Sequence, residues 1–135
     1  MAEAESTYHL KIVTPDRLFF DGDVENIIVP AVDGDVGILK GHINYVTPLS
    51  TGVLRLRENG DWKIAALSGG FLKVEKSGTV IVANTCEWKE EIDVERARRA
   101  EQKARDILNA KESEKRTRYA EQNLKKALNR INIAT

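Results

Sequence analysis

Glu91-Ile92-Asp93-Val94-Glu95-Arg96-Ala97 divides this chain into two kinds of polypeptide. On its N-terminal side, short apolar runs are broken by turn residues, and all nine Gly lie there. On its C-terminal side there is no Gly or Pro, and the apolar residues change period. Val94, Ala97, Ala100, Ala104, Ile107 and Leu108 recur three and four apart, as do Ala120, Leu124, Ala127, Leu128 and Ile131. That spacing marks one face of a helix. Asp93 is placed to cap the first free N–H groups, and Glu95 suits the positive end of the helix dipole. The pattern lapses over Lys111 to Lys115, where Ser113 offers a second N-cap. Two antiparallel helices in a hairpin follow, each about 25–30 Å long at ~1.5 Å per residue.

The first ninety residues alternate with period two. Leu10 and Ile12 flank Lys11, and Leu54 and Leu56 flank Arg55. Further apolar runs are Leu18 to Phe20, Ile27 to Val29, Trp62 to Leu67, Phe71 to Val74 and Val80 to Ala83. Short strands bounded by turn residues account for this pattern. Asn59-Gly60 between two such runs predicts a tight hairpin, because both residues tolerate positive φ. Ser68-Gly69-Gly70 follows a strand and precedes no helix, so it reads as a tight turn rather than a phosphate loop. No helix-length segment separates the strands, which favours a small sandwich or flattened barrel over a parallel βαβ sheet. The fold class is therefore α+β, with a sandwich over residues 1–88 and a helical hairpin over 89–135.

The formal net charge of zero conceals an asymmetry. Residues 1–92 hold 9 Lys+Arg against 14 Asp+Glu, and residues 93–135 hold 12 against 7, so the halves differ in sign. A basic helical half suggests an acidic partner: protein, nucleic acid or nucleotide phosphate. Few aromatics and the acidic front half argue against nucleic acid. Cys86 is the lone cysteine, and its place beside Val80 to Ala83 predicts a buried, inert thiol. No apolar run approaches the ~20 residues that span a bilayer. Met1 to Ser6 is acidic and polar, the wrong character for a signal peptide.

Catalytic constellations are not apparent. His9 and His42 lie in no zinc-ligand spacing, and no Gly-x-Ser-x-Gly elbow or Walker-type loop occurs. Arg96, Arg99 and Lys103 share a face of the first helix, as do Lys126 and Arg130 on the second. As residues alone these are a solvated face or a cationic stripe for phosphates or an acidic surface. The stripe between the helices is largely alanine. An Ala methyl buries far less than a Leu, worth roughly 1.5–3 kcal/mol when fully buried. Helicity is thus locally favoured while the packing is thin, and a single straightened rod would reach roughly 60 Å.

Several stretches resemble one family. Asp33-Gly34-Asp35-Val36-Gly37-Ile38-Leu39-Lys40-Gly41-His42 is similar to a Gly-acid-x-Gly-Ile-x-Pro-Gly-His segment of the ε subunit of bacterial F-type ATP synthase, with Lys40 in place of the Pro. Ser68-Gly69-Gly70-Phe71-Leu72-Lys73-Val74 resembles that family's Ser-Gly-Gly-[Phe/Ile]-Leu-x-Val. Val13 to Asp16 and Ala127 to Ile131 also match, in the same order along the chain.

This resemblance implies a flattened ten-stranded sandwich followed by the hairpin. It also implies a non-catalytic rotor subunit of the central stalk, which couples c-ring rotation and hydrogen ion transport to ATP synthesis. The implied partners are the γ subunit, the c-ring, and the αβ head when the helices extend and inhibit ATP hydrolysis. Membrane association would come only through the complex, peripherally on the cytoplasmic side of the cell membrane. Asp35 and His42 occupy positions that face the rotor ring in relatives. Ile92-Asp93-Val94-Glu95-Arg96-Ala97 matches an Ile/Leu-Asp-x-x-Arg-Ala motif through which some relatives bind ATP. Glu87, Lys103, Lys126 and Arg130 fall at the other positions of that site, with Lys103 and Lys126 standing where a well-known binder has arginine. Lysine keeps the charge and loses the planar fork. No cofactor is implied as a requirement, and ATP would be an effector rather than a substrate.

Overall fold

The computed structural model describes residues 6–110 and 113–135. The chain separates into two compact units, Met1–Trp88 and Lys89–Thr135. The polar start read over Met1 to Ser6 lies outside the described residues up to 5, and so do residues 111 and 112 of the predicted helix break.

Among the described residues the first unit holds eight strands: β1 (Tyr8–Val13), β2 (Leu18–Val24), β3 (Asn26–Ala31), β4 (Gly34–Leu39), β5 (Tyr45–Leu49), β6 (Gly52–Glu58), β7 (Asp61–Glu75) and β8 (Gly78–Trp88). They form one sheet in the order β2-β1-β8-β7-β5-β3-β4, with β6 off this path and paired with β3 and β7. Eight strands do the work of ten because β7 and β8 are long. The first half of β7 pairs with β6, from Asp61↔Glu58 to Leu67↔Gly52. Its second half pairs with β5, from Gly70↔Leu49 to Val74↔Tyr45. β8 stays in register with β7 from Glu75↔Gly78 to Ala65↔Trp88.

Ser68-Gly69-Gly70, read above as a tight turn, is therefore the middle of a strand. Its two glycines have φ of +66° and +128°, a conformation that L side chains rarely adopt. The sequence signal for a break was real, but the chain bends there without stopping. A second departure is the pairing of β1 with β8, which is parallel, Leu10↔Thr79 to Val13↔Val82, and joins segments nearly seventy residues apart. The predicted hairpin at Asn59-Gly60 is present, with φ of 52° and 82° and the pairs Glu58↔Asp61 and Arg57↔Trp62 on either side.

Alternation sorts the side chains as the period-two pattern requires. Leu10, Ile12, Ile27, Val29, Ile38, Leu54, Leu56, Leu67, Leu72 and Ile81 are all 1% exposed or less. Each contributes roughly 1.5–3 kcal/mol by leaving water. Cys86 is buried among them, as predicted. Tyr8 on β1 donates its hydroxyl to the Ile38 carbonyl on β4 at 2.5 Å, which draws the two flanks of the sheet together. Burial pushes this phenol above its ordinary value and keeps it a donor. Trp88 closes one end of the core, its ring 4.4 Å from Phe19 and edge-on to Phe20 at 6.3 Å.

The second unit begins with a 3-10 turn, Lys89–Glu91, followed by α1 (Val94–Ala110) and α2 (Glu114–Ala134). α1 and α2 pack against each other. Ser113 caps α2 as predicted, its side chain accepting the Arg116 N–H at 3.1 Å.

A methyl group at position 70 would stand 1.9 Å from the Val82 carbonyl oxygen and 2.8 Å from the Ala83 Cα. Gly70→Ala is therefore expected to lower stability by several kcal/mol, beyond the about 1–3 kcal/mol of backbone strain alone. Urea unfolding monitored by Trp fluorescence measures this; a midpoint equal to that of the parent chain would contradict the close approach.

Candidate functional site

Two groups of residues merit attention, one in each unit. In the helical unit, Asp93 precedes α1 in a capping geometry. Its carboxylate accepts the Arg96 N–H at 3.1 Å and its carbonyl accepts the Ala97 N–H at 3.0 Å. Ile92 closes the preceding turn through an N–H to the Lys89 carbonyl at 3.4 Å. Ala97 and Ala104 are the buried residues of α1, and Ala120, Ala127 and Ile133 are those of α2. The four alanines form a seam in which each helix repeats at seven residues.

That seam sorts the charged residues into two flanks. Arg96 and Lys103 each immediately precede a seam alanine on α1, and Lys126 immediately precedes one on α2. One residue back is about 100° round a helix of ~3.6 residues per turn. Two antiparallel helices wind in opposite senses when viewed along one direction, so these side chains leave the hairpin on the same flank. Arg130, four residues after Lys126, continues the row on that flank. Arg96, Arg99, Lys103 and Lys126 meet no carboxylate among the described residues. Arginines on the other flank are paired: Arg98 with Glu95 at 3.4 Å and Arg105 with Glu101 at 2.9 Å. The hairpin thus has one self-neutralised flank and one cationic flank.

Of the eight positions attributed to a nucleotide site, the fold gathers Arg96, Lys103, Lys126 and Arg130 along this flank. Asp93 stands at its start, exposed, with Ile92 beside it half-buried. Ala97 is 4% exposed, and its methyl belongs to the seam. Glu87 lies on β8 opposite Ala66, in the other unit. Among the described residues no cluster of three His, Cys, Asp or Glu side chains is arranged to hold a metal.

In the sandwich, Asp35 and His42 lie at the two ends of β4, which is the last strand in the sheet order. Asp35 is exposed, and Arg55 on β6 reaches over β3 to place Nη1 3.8 Å from its Oδ2. Sequence alternation shows Arg55 pointing outward, but the β6-β3-β4 order that brings it to Asp35 has no local signal. His42 follows a turn in which its N–H bonds the Leu39 carbonyl at 3.1 Å. Its Nδ1 is 2.8 Å from the Ile43 carbonyl, which can only accept, so Nδ1 carries a proton. The ring lies 5.6 Å from that of Tyr45. Leu39, Ile43 and Val46 are exposed around this end of the strand, at 60%, 78% and 65%.

Residues 7–89 match the family model described as ATP synthase, Delta/Epsilon chain, beta-sandwich domain. Residues 90–135 match the one described as ATP synthase, Delta/Epsilon chain, long alpha-helix domain. An ATP synthase epsilon chain of Caldanaerobacter subterraneus subsp. tengcongensis is 44% identical over 97% of this chain and 96% of its own. Another, of Bacillus velezensis, is 44% identical over 95% and 97%. Among solved structures, a chain of the Euglena gracilis mitochondrial ATP synthase OSCP/F1/c-ring assembly superposes with a TM-score of 0.77 at 27% identity, covering 88% of this chain and 76% of that one. A chain of the Tetrahymena thermophila mitochondrial ATP synthase central stalk and c-ring has a TM-score of 0.67 at 16% identity, over 94% and 96%, and shares the fold.

The cap at Asp93 is separable from its charge. Asp93→Ser is expected to keep the helix start and Asp93→Ala to cost about 1 kcal/mol of it. Thermal melts followed at 222 nm report the difference; equal loss in both variants would show that the carboxylate, not the cap, holds α1.

Proposed function

The chain belongs to the ATP synthase delta/epsilon family, and from that premise we propose that it is a rotor and regulatory subunit of the central stalk. The sandwich takes the mechanical part: it binds the γ subunit and the rotor ring and turns with them, so that proton-driven rotation reaches the catalytic head. Asp35 and His42 meet the loops of the ring. The exposed aliphatics Leu39, Ile43 and Val46 beside them support a partner-facing end of this unit. No helix among the described residues is long and apolar enough to cross a membrane. We propose peripheral attachment through the complex, on the cytoplasmic side of the cell membrane.

The helices take the regulatory part. The observation that carries this reading is the cationic flank, where Arg96, Arg99, Lys103 and Lys126 meet no carboxylate among the described residues. Cations that their own helices do not neutralise are available to an acidic segment of the αβ head or to a polyphosphate. The alanine seam supports a change of docking, since Ile133 is the one large side chain among the buried residues of the two helices and each seam alanine loses little by meeting water. Extended, the helices inhibit ATP hydrolysis; folded together, they permit turnover. ATP at the hairpin favours the folded form. Its phosphates lie along Arg96, Lys103, Lys126 and Arg130, with Ile92, Asp93 and Ala97 at the head of α1. The nucleotide is an effector in this reading, and the subunit itself is not an enzyme.

Two measurements test this. Deleting the residues after Asp93 is expected to raise ATP hydrolysis by the assembled complex while the sandwich still assembles; unchanged hydrolysis would remove the inhibitory role. Calorimetric titration of the full chain with ATP is expected to give binding that Asp93→Ala with Arg96→Ala weakens more than it lowers helicity. No heat with the parent chain would return Asp93 to a plain N-cap.

A further inference from the structure

Gly37 alone of the nine glycines has neither a positive φ nor a neighbour closer than 4.0 Å to where a Cβ would stand. Six of the others hold φ between +66° and +148°. A Cβ at Gly52 would stand 2.6 Å from the Pro30 Cβ, and one at Gly22 would stand 3.3 Å from the Phe20 ring. At Gly37 the backbone has no positive φ, and a Cβ would meet nothing nearer than the Ile27 carbonyl oxygen at 4.0 Å. Glycine inside a strand weakens it through backbone entropy. Here no close approach within the chain accounts for that cost.

Its surroundings point outward. β4 is the last strand in the sheet order, and Gly37 pairs with Ile28 of β3, which pairs in turn with Arg55 of β6. Val36 and Ile38 turn toward the core, whereas Asp35, Gly37 and Leu39 form the exposed row. This row is a strip of bare main chain between a carboxylate and an aliphatic side chain, about 13 Å long at ~3.3 Å per residue. Glycine inside a strand marks a bulge, a bend or a place where a ligand or another backbone comes close, and β4 keeps continuous register with β3 from Asn26↔Leu39 to Ala31↔Gly34, with no bulge. Arg55, 3.8 Å from Asp35, keeps the carboxylate on this outer row.

We infer that Gly37 is the specificity-determining notch of the rotor-ring contact: a loop of the ring lies across β4 with its main chain over Gly37, a cationic side chain toward Asp35 and an apolar one on Leu39. This rests on the proposal that Asp35 and His42 face the ring, and it names what admits the loop between them. A side chain at position 37 lifts the loop away and breaks the contact without disturbing the sandwich.

The experiment uses the assembled ATP synthase in vesicles, with ATP-driven proton pumping and ATP hydrolysis measured together, and thermal melting of each purified chain. Gly37→Ala and Gly37→Val are expected to lose pumping per ATP hydrolysed, Val more than Ala. The melting temperature of Gly37→Ala should be unchanged or raised, because alanine fits and restricts the unfolded chain. Asp35→Lys is the reference and should also lose pumping. Full pumping by both Gly37 variants, with loss in Asp35→Lys, would overturn the notch alone. Full pumping in all three would overturn the rotor-ring reading as well. A lower melting temperature in Gly37→Ala would make the glycine a structural requirement and also overturn the inference.

Discussion

Backbone meets backbone where β7 passes β8 at Gly70, and the sandwich depends on that contact. With the Val82 carbonyl oxygen 1.9 Å from where a Cβ would stand, no side chain fits between the strands. The approach lets β7 bend and continue. One strand then serves β6 with its first half and β5 with its second, while β8 follows in unbroken register. The leucines and isoleucines of both halves meet in one core as a result. Had β7 ended at the glycines, β5 and β6 would pair with separate strands there and share only β3 as a common neighbour.

The two units are held by different physics. In the sandwich, large aliphatic side chains are removed from water almost completely. In the hairpin, the seam consists of alanines, and only Ile133 among the buried residues of either helix is large. Helix formation there draws on propensity, on the caps at Asp93 and Ser113 and on i,i+3 and i,i+4 pairs such as Arg98–Glu95 and Arg105–Glu101. These are local terms that survive a change of partner, whereas seam contacts do not. A segment built this way can keep its helices while giving up their packing.

Much of this was legible in the residues. Period-two runs placed Leu10, Ile12, Leu54 and Leu56 in the core, and Asn59-Gly60 announced its hairpin. Period-3.6 runs and the caps placed both helices. What escaped was non-local. Nothing near Leu10 announces its parallel neighbour Thr79, and nothing near Arg55 announces Asp35 two strands away. Ser68-Gly69-Gly70 was misleading because glycine signals an unusual backbone, and a bend inside a strand needs the same residues as a turn. For the site, residue type and spacing located the cations, but which of them are neutralised depends on the seam, and the seam is visible only once the helices pack.

Hydrogen exchange on the full chain tests the central contrast, a tightly closed sandwich joined to helices that hold each other weakly. The account predicts that amides of α1 and α2 exchange through openings of much lower free energy than those around Leu54, Leu67 and Ile81, while circular dichroism retains its helical signal. Protection of the helical amides equal to that of the sandwich core would contradict it.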